Sequence, residues 1–280
     1  MLKKYIPIIT VVCVILFTLL ACTPSKDEPA TTESITTTAV NTVRVTFPEG
    51  YTAKQIAEKL EESGVCSAAD FMAEINSETV YTLTWSFIPG IVNPEDRAFV
   101  LEGYIFPDTY EFYKGESAAS ALSRFLKNAE SKLTDEYAAR AEELGFTLDE
   151  IITLASIIQE EAGDPKEMPK VSSVLHNRIK SPDYGKLQCD VTIDYVNKCI
   201  IDSPYVDGDT EKFKELYNTY KCLGLPAGPI CNPGIDAIQA ALYPEETNYF
   251  FFVTDKDWNY YYSETYSEHQ RKCREIGLVN

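Results

Sequence analysis

The chain opens on Met-Leu-Lys-Lys and then runs from Tyr5 to Ala21 without a charged residue. Two lysines ahead of an apolar block are the layout of a secretory signal, and the block falls short of the about 20 apolar residues of a comfortable membrane span. Residues 23–41 have no periodicity. Eight of these nineteen are Ser or Thr, with Pro24 and Pro29 and no aromatic, so they predict a disordered tether with too little apolar surface to fold. Pattern begins at residues 43–47, Val-Arg-Val-Thr-Phe, whose alternation predicts a half-buried strand. Thr52 can cap a helix over 53–63, with Ile56 and Leu60 on one face and Gly64 as its stop. Ser67 caps a second helix that turns Phe71 and Ile75 inward. With a second strand these make a small α+β unit over 42–100, and its last stretch, 79–100, reads as strand plus loop around Pro89, Gly90 and Pro94.

Beyond residue 100 the period lengthens. Residues 103–112 are aromatic and strand-like, broken by Pro107. Helices follow from Ser117 to Leu133 and from Thr134 to about Gly145. Thr147-x-x-Glu150 is a capping box that opens a strongly apolar helix to Ala162, and another helix spans 168–179. Residues 181–235 are rich in turns with short helices between them. An aromatic β-rich run at 248–254 is paired with 259–263 as a hairpin, and a helix over 264–277 closes the chain. No internal repeat is present. The class is α+β: a small unit at 42–100 and a mixed, helix-rich domain at 101–280 with a β-hairpin region.

Composition narrows the function. In 280 residues, 25 basic and 43 acidic side chains give a charge of −18, with 45% hydrophobic residues. That is globular composition, long enough for one large domain or two smaller ones. The acidic balance argues against a nucleic-acid partner, which clustered Lys and Arg would favour. The apolar block ends Leu19-Leu20-Ala21-Cys22, and a small residue before Cys resembles the lipobox of bacterial lipoproteins, with Cys22 as the lipidated residue. The alternative is an uncleaved single-span anchor. Either places the folded part on the extracytoplasmic face of a cell membrane. Cys66, Cys189, Cys199, Cys222, Cys231 and Cys273 then lie where disulfides are permitted, in connectivities that spacing does not choose. Their spacing is not that of zinc ligands, and no metal or cofactor is expected.

The most informative residue is Glu161. At about 100° per residue, Ile151, Leu154, Ile157 and Ile158 form one apolar stripe, and Glu161, seven after Leu154, falls within it. Glu160 lies on the flank and Gln159 nearly opposite. A carboxyl on a core-facing stripe is costly when ionised, and Glu160, Asp164 and the helix C-terminus push its pKa upward as well. A Glu held protonated near neutral pH is what a general acid requires.

Several motifs follow one another in order. They are Leu101-Glu-Gly-Tyr-Ile-Phe-Pro-Asp-Thr-Tyr110, Leu154-Ala-Ser-Ile-Ile-Gln-Glu-Glu-Ala162, His176-Asn-Arg-Ile179 and Leu187-Gln-Cys-Asp-Val-Thr-Ile-Asp-Tyr195. Then come Tyr217-Asn-Thr-Tyr220, Gly224-Leu-Pro-Ala-Gly-Pro-Ile-Cys-Asn-Pro-Gly234 and Ser263-Glu-Thr-Tyr-Ser-Glu-His269. Together the motifs resemble the MltG/YceG-like family of endolytic murein transglycosylases, over about residues 43–275. The resemblance implies a LysM-like fold for the small unit and a catalytic transglycosylase domain beyond it. It places the family's glutamate at Glu161. Glu160 stands where Lys is usual, Ala227 where a second Pro is usual, and Cys189 and Cys231 where small polar residues are common.

The implied activity cuts the MurNAc–GlcNAc bond of nascent peptidoglycan and leaves 1,6-anhydro-MurNAc ends, with Glu161 as acid and then base. The substrate is the glycan strand, and penicillin-binding proteins of the wall-synthesis complex are the implied partners. Gln188, Asp190, Thr192, Tyr217, Asn218 and Tyr220 are candidates to line a sugar groove, because they are polar residues in loop-rich sequence. Asn177 and Arg178 are expected to fix the helix beside Glu161, the Pro226, Gly228, Pro233 and Gly234 cluster to form turns, and His269 to lie on a surface helix. Two other functions stay open. One is a catalytically inactive peptidoglycan-binding lipoprotein. The other is a water-using hydrolase with Asp190 or Asp194 as second carboxylate. No Gly-x-Ser-x-Gly or His-Glu-x-x-His motif supports a serine or metal hydrolase.

Overall fold

The computed structural model describes residues 41–77 and 85–279. The apolar block, Cys22, nearly all of the expected tether and the first part of the strand expected after residue 79 lie outside these residues.

Among the described residues the elements are β1 (Thr42–Thr46), α1 (Ala53–Glu62), α2 (Ala68–Glu74), β2 (Thr109–Tyr113), α3 (Ala118–Lys132), α4 (Asp135–Leu144), α5 (Leu148–Glu161), α6 (Met168–Lys180), α7 (Asp190–Tyr195), α8 (Glu211–Leu216), α9 (Ile235–Leu242), β3 (Phe251–Thr254), β4 (Tyr260–Ser263) and α10 (Tyr266–Glu275). Two two-stranded antiparallel sheets among many helices make this an α+β fold. The capping box expected at Thr147 forms, and two more stand at Thr52 and at Thr265, where Glu268 is the partner at the start of α10. Thr52 and Gln55 open α1, and Thr147 and Glu150 open α5, each pair exchanging side-chain and backbone bonds that satisfy otherwise orphaned amides.

β1 pairs with β2, setting Val43 opposite Phe112 and Val45 opposite Tyr110. The second strand of the first sheet therefore comes from beyond residue 100. The described part of 79–100 instead holds two short 3-10 turns, Ile88–Gly90 and Pro94–Asp96. Pro89 and Pro94 offer no amide to a strand ladder, which favours turns there. Val45, Phe47 and Phe112 turn inward, and Phe125 of α3 gathers them, with ring centroids 5.1 Å from Phe47, 5.7 Å from Phe112 and 5.9 Å from Phe71 of α2.

α5 is the central helix. It packs on α4, α6, α7 and α9, and every residue from Ile151 to Ile158 is buried. The expected single stripe is thus an understatement, because a helix that is hydrophobic all round is a core helix. Its first turn carries the buried Asp149, which accepts from the Tyr104 hydroxyl at 2.6 Å and pairs with Arg97.

Glu102 ties the start of α1 to α7 and to the loop before α9. Its fully buried carboxyl accepts from the Ala53 amide at 2.8 Å, Asn232 Nδ2 at 2.8 Å and the Tyr195 hydroxyl at 3.1 Å. Asn232 Oδ1 in turn accepts from the amides of Gly103, at 3.0 Å, and Ile105, at 2.8 Å. Burial pushes the Glu102 carboxyl up to about 8.

The six cysteines of the described part are free thiols. No helix among the described residues is long and apolar enough to cross a membrane.

Candidate active site

α5 stops at Glu161 because Ala162 leaves helical geometry (φ −112°, ψ 100°) and Gly163, Asp164 and Pro165 follow. The last carbonyls of a helix lack intrahelical partners. Here the Tyr260 hydroxyl of β4 supplies one, donating to the Glu161 carbonyl at 3.2 Å and accepting from the Gly163 amide at 2.9 Å. The residue that the sequence singles out is therefore held by its backbone as well as by its helix.

The Glu161 side chain lines a cavity of about 430 Å³ between the C-terminal end of α5, α6, the start of α7, β3 and α10. Burial is the main reason its carboxyl is pushed up to about 7, and the charges of Asp190 and Glu160 act in the same direction. The neighbouring Cys189 thiol acts in the opposite direction. The like charge across the cavity is thus Asp190, where the sequence pointed to Asp164.

Gln188 and Asp190 line the same cavity from the start of α7, and Tyr220 lines it from the loop after α8. The Tyr220 hydroxyl donates to Asp190 at 2.7 Å, and burial, with this bond added, pushes Tyr220 up to about 12. Gln188 adopts φ +58°, an uncommon backbone for a residue other than glycine, at a cost on the order of 1 kcal/mol. Its amide bond to the Thr219 carbonyl, at 3.0 Å, and its side-chain bond from Arg178 hold it there.

The other three candidates take different places. Thr192 is fully buried behind the wall, donating to the Cys189 carbonyl at 2.8 Å. Tyr217 is also fully buried and packs on Tyr195 and Phe213. Asn218 accepts the Tyr220 amide at 3.0 Å, a local turn bond, and faces a separate depression beside α8. Thr192, Tyr217 and Asn218 line no part of the Glu161 cavity. They stabilise the segment that carries its wall. Asp194 faces away too, paired with Lys198 at 2.6 Å.

Residues that the sequence assigned elsewhere complete the cavity. Arg178 of α6 is buried in its wall and donates to the carbonyls of Lys186, at 2.9 Å, and Phe250, at 3.0 Å, as well as to Gln188. The five donors of its planar fork are spent largely on these loops, so it orders the cavity without neutralising Glu161. Asn177 points elsewhere, to the carbonyls of Thr247 and Tyr249 at 2.8 and 2.9 Å, and fixes the approach to β3. His269 is not simply a surface residue. Its half-buried ring lines the cavity and stacks on Phe251 at 5.3 Å. Phe250, Phe251, Phe252 and Tyr266 add aromatic surface. The signal for this wall was the aromatic density of residues 248–254, which the strand pattern alone reads as core. Among the described residues no His, Cys, Asp or Glu group is arranged to hold a metal ion.

A half-buried carboxyl with a pKa raised to about 7, beside an acidic side chain, an amide, a phenol and aromatic faces, is equipped to bind a polar, ringed substrate and to move protons. Comparison with known proteins points the same way. The endolytic murein transglycosylase of Bacillus subtilis (strain 168) is 27% identical over 237 residues, covering 81% of this chain and 63% of that protein. The endolytic murein transglycosylase of Streptococcus pneumoniae serotype 2 is 25% identical over 248 residues, covering 82% of this chain and 44% of that protein. The chain therefore spans between under half and under two thirds of the length of these relatives. A crystal structure of a yceG-like protein from Listeria monocytogenes superposes with a TM-score of 0.68 at 28% identity, over 82% of this chain and 75% of that one. The model of the YceG-like family matches residues 22–275, nearly the whole length, and the chain belongs to that family.

Proposed function

We propose that this chain is a lytic transglycosylase that cuts peptidoglycan glycan strands at the MurNAc–GlcNAc bond, with Glu161 as its acid and base. The observation that carries the reading is the Glu161 carboxyl, raised to about 7 inside a cavity that also holds Gln188, Asp190 and Tyr220. The names of the Bacillus and Streptococcus relatives support the same reaction class.

Protonated, Glu161 gives its proton to the glycosidic oxygen as the bond from the MurNAc anomeric carbon breaks, and GlcNAc leaves with a hydroxyl. The C6 hydroxyl oxygen of the same MurNAc attacks the anomeric carbon and closes a 1,6-anhydro ring. Its proton passes to the Glu161 carboxylate, which is restored for the next turnover. No water is consumed, so one carboxyl suffices where ordinary glycosidases need two. Burial, with the charge of Asp190 added to it, favours the protonated Glu161 carboxyl, while Gln188 and Tyr220 offer hydrogen bonds to the N-acetyl and hydroxyl groups of the sugars. The N-terminal block, lipidated at Cys22 or kept as a span, tethers this site to the outer face of the cell membrane, close to nascent strands and to penicillin-binding proteins. The charge of −18 fits a wall enzyme and not a nucleic-acid binder.

The test is mass spectrometry of glycan strands treated with the full chain and with its Glu161→Gln variant. Anhydro-muramyl ends from the wild type alone are the expected result. Reducing ends would assign the chemistry to a water-using hydrolase with Asp190. Binding without cleavage by either protein would assign the chain as a wall-binding lipoprotein.

A further inference from the structure

Glu102 lies outside the Glu161 cavity and is fully buried, yet its hydrogen bonds lead to two of the helices that frame that cavity. One route runs to α5. Asn232 Nδ2 donates to Glu102 Oε1 at 2.8 Å, and Asn232 belongs to the loop before α9. That loop grips α5 on both sides of Asn232. The Ile230 amide donates to the Ser156 hydroxyl at 3.0 Å, and the Gly234 amide donates to Gln159 Oε1 at 2.9 Å. Ser156 and Gln159 stand in the last two turns of the helix, just ahead of Glu161. The loop also lies hard against the turn that carries Glu102. A Cβ on Gly103, whose φ is +91°, would meet Pro229 Cγ at 2.6 Å and Ile152 Cγ2 at 2.9 Å. The other route runs to α7. Its last residue, Tyr195, places its hydroxyl 3.1 Å from Glu102 Oε2, and its first residue, Asp190, lines the cavity. A helix of less than two turns passes a constraint at one end straight to the other.

We propose that Glu102 is a positioning residue for Glu161: it holds the end of α5 and the start of α7 in register across the cavity, and loss of its proton loosens both. The inference rests on the activity proposed above and adds to it a residue that touches no substrate.

The groups that face Glu102 explain why its proton matters. Glu160 comes from α5, Tyr195 from α7, Cys199 from the turn after α7, Tyr217 from the loop after α8 and Cys231 from the loop before α9. None of these five can carry a positive charge. Burial, with the charge of Glu160 added, pushes the carboxyl up to about 8, although its three donors favour the anion. Near neutral pH it is a neutral acid, which accepts from Ala53 and Asn232 on Oε1 and can donate its Oε2 proton to the Tyr195 oxygen. As a carboxylate it is a buried charge that these neighbours do not offset, and such a charge draws in water or forces its surroundings open. The segments bonded to it, the loop before α9 and α7, are the ones that give way.

Two measurements test this. The first is hydrogen exchange on the full chain from pH 6 to 9, with protection corrected for the intrinsic rate at each pH. Protection at the Ile230 and Gly234 amides is expected to fall above about 8, more steeply than in the β1–β2 ladder, and to hold in Glu102→Gln, which is neutral throughout. Equal loss across the chain would make Glu102 a support of the whole fold and overturn the positioning role, and the wild-type pattern decides this without any variant. Loss at the loop that Glu102→Gln does not prevent would overturn it as well. The second is calorimetric titration of uncrosslinked glycan strands into Glu161→Gln, which has no Glu161 proton to lose, beside the Glu102→Gln/Glu161→Gln double variant. The single variant should lose affinity above about 8, by at most about tenfold per pH unit for one linked proton, while the double variant keeps it. Affinities that run parallel in the two variants would overturn the inference. If the wild type makes no anhydro ends, the activity reading fails by itself, and exchange in the free chain still decides whether Glu102 holds the walls.

Discussion

The Tyr260 hydroxyl donates to the backbone carbonyl of Glu161 at 3.2 Å, so a strand nearly one hundred residues downstream fixes the last turn of the helix that ends on Glu161. The same hydroxyl accepts from Gly163 at 2.9 Å, closing the helix end from both sides. Tyr260→Phe keeps the ring and removes only these bonds. Losing them should lower stability by about 1 kcal/mol. The carboxyl would also become less well placed and better hydrated. The expected kinetic result is kcat reduced about tenfold with KM little changed, since small displacements of an acid are costly in the transition state. Steady-state kinetics and thermal melts on one preparation check this, and an equal loss in KM and kcat would make Tyr260 a general structural support instead.

As the proposed acid, Glu161 sets a pH profile. It must be protonated to act, and burial with the charges of Asp190 and Glu160 raises it to about 7. Activity, measured as kcat/KM, should therefore hold at mildly acidic pH and fall as pH rises through about 7. Asp190→Asn removes one raising charge, so its alkaline limb should move to lower pH. Glu161→Gln should lose about 10²- to 10⁴-fold in rate and show no limb. A limb left in place by Asp190→Asn would mean that the charge of Asp190 does not act on Glu161.

Arg178 offers a test of geometry against charge. Its guanidinium joins Lys186, Gln188 and Phe250, three points on two loops that wall the cavity. Lysine keeps the charge but cannot span three acceptors with a planar fork. Arg178→Lys should therefore raise KM by about tenfold, a loss on the order of 1.4 kcal/mol of binding, while the alkaline limb of the pH profile stays near that of wild type. A shifted limb with unchanged KM would show that the charge is what matters.

Local pattern gave the helices and their caps, because capping and amphipathic spacing are properties of a few neighbouring residues. Thr147 with Glu150 and the position of Glu161 at the end of α5 are both of this kind. What stayed hidden depends on contacts between distant segments. Tyr260 belongs to a strand pattern that says nothing of Glu161. Thr192, Tyr217 and Asn218 share polar loop sequence with Gln188, Asp190 and Tyr220, yet the fold turns the first three into or away from the wall. Composition cannot separate the two sets, because facing is decided by how α7 and the 217–220 loop pack. Glu102 did leave a trace, as a lone charge in the apolar and aromatic run 99–106, but its three donors come from residues 53, 195 and 232.

Glu102 makes stability depend on pH in a definite direction. Its carboxyl is raised from 4.5 to about 8 by burial, so between those values the folded chain keeps a proton that the unfolded chain has lost. The unfolded state then binds fewer protons, and unfolding free energy falls as pH rises, by at most about 1.4 kcal/mol per pH unit for one such group. Its contribution is complete below 4.5 and gone above about 8. Glu161 acts in the same sense over 4.5 to about 7, so the two must be separated by substitution. Glu102→Gln is neutral at every pH. Its carbonyl oxygen can accept from Ala53 and Asn232 as Oε1 does, and its amide can donate to the Tyr195 hydroxyl. Denaturant titrations from pH 5 to 9 should show a flatter curve for Glu102→Gln than for wild type, with the variant gaining relative stability at the alkaline end. Glu161→Gln should flatten only the lower part of the range. Parallel curves for wild type and Glu102→Gln would mean that the carboxyl ionises in the fold as freely as in the unfolded chain, held by its three donors against the cost of burial.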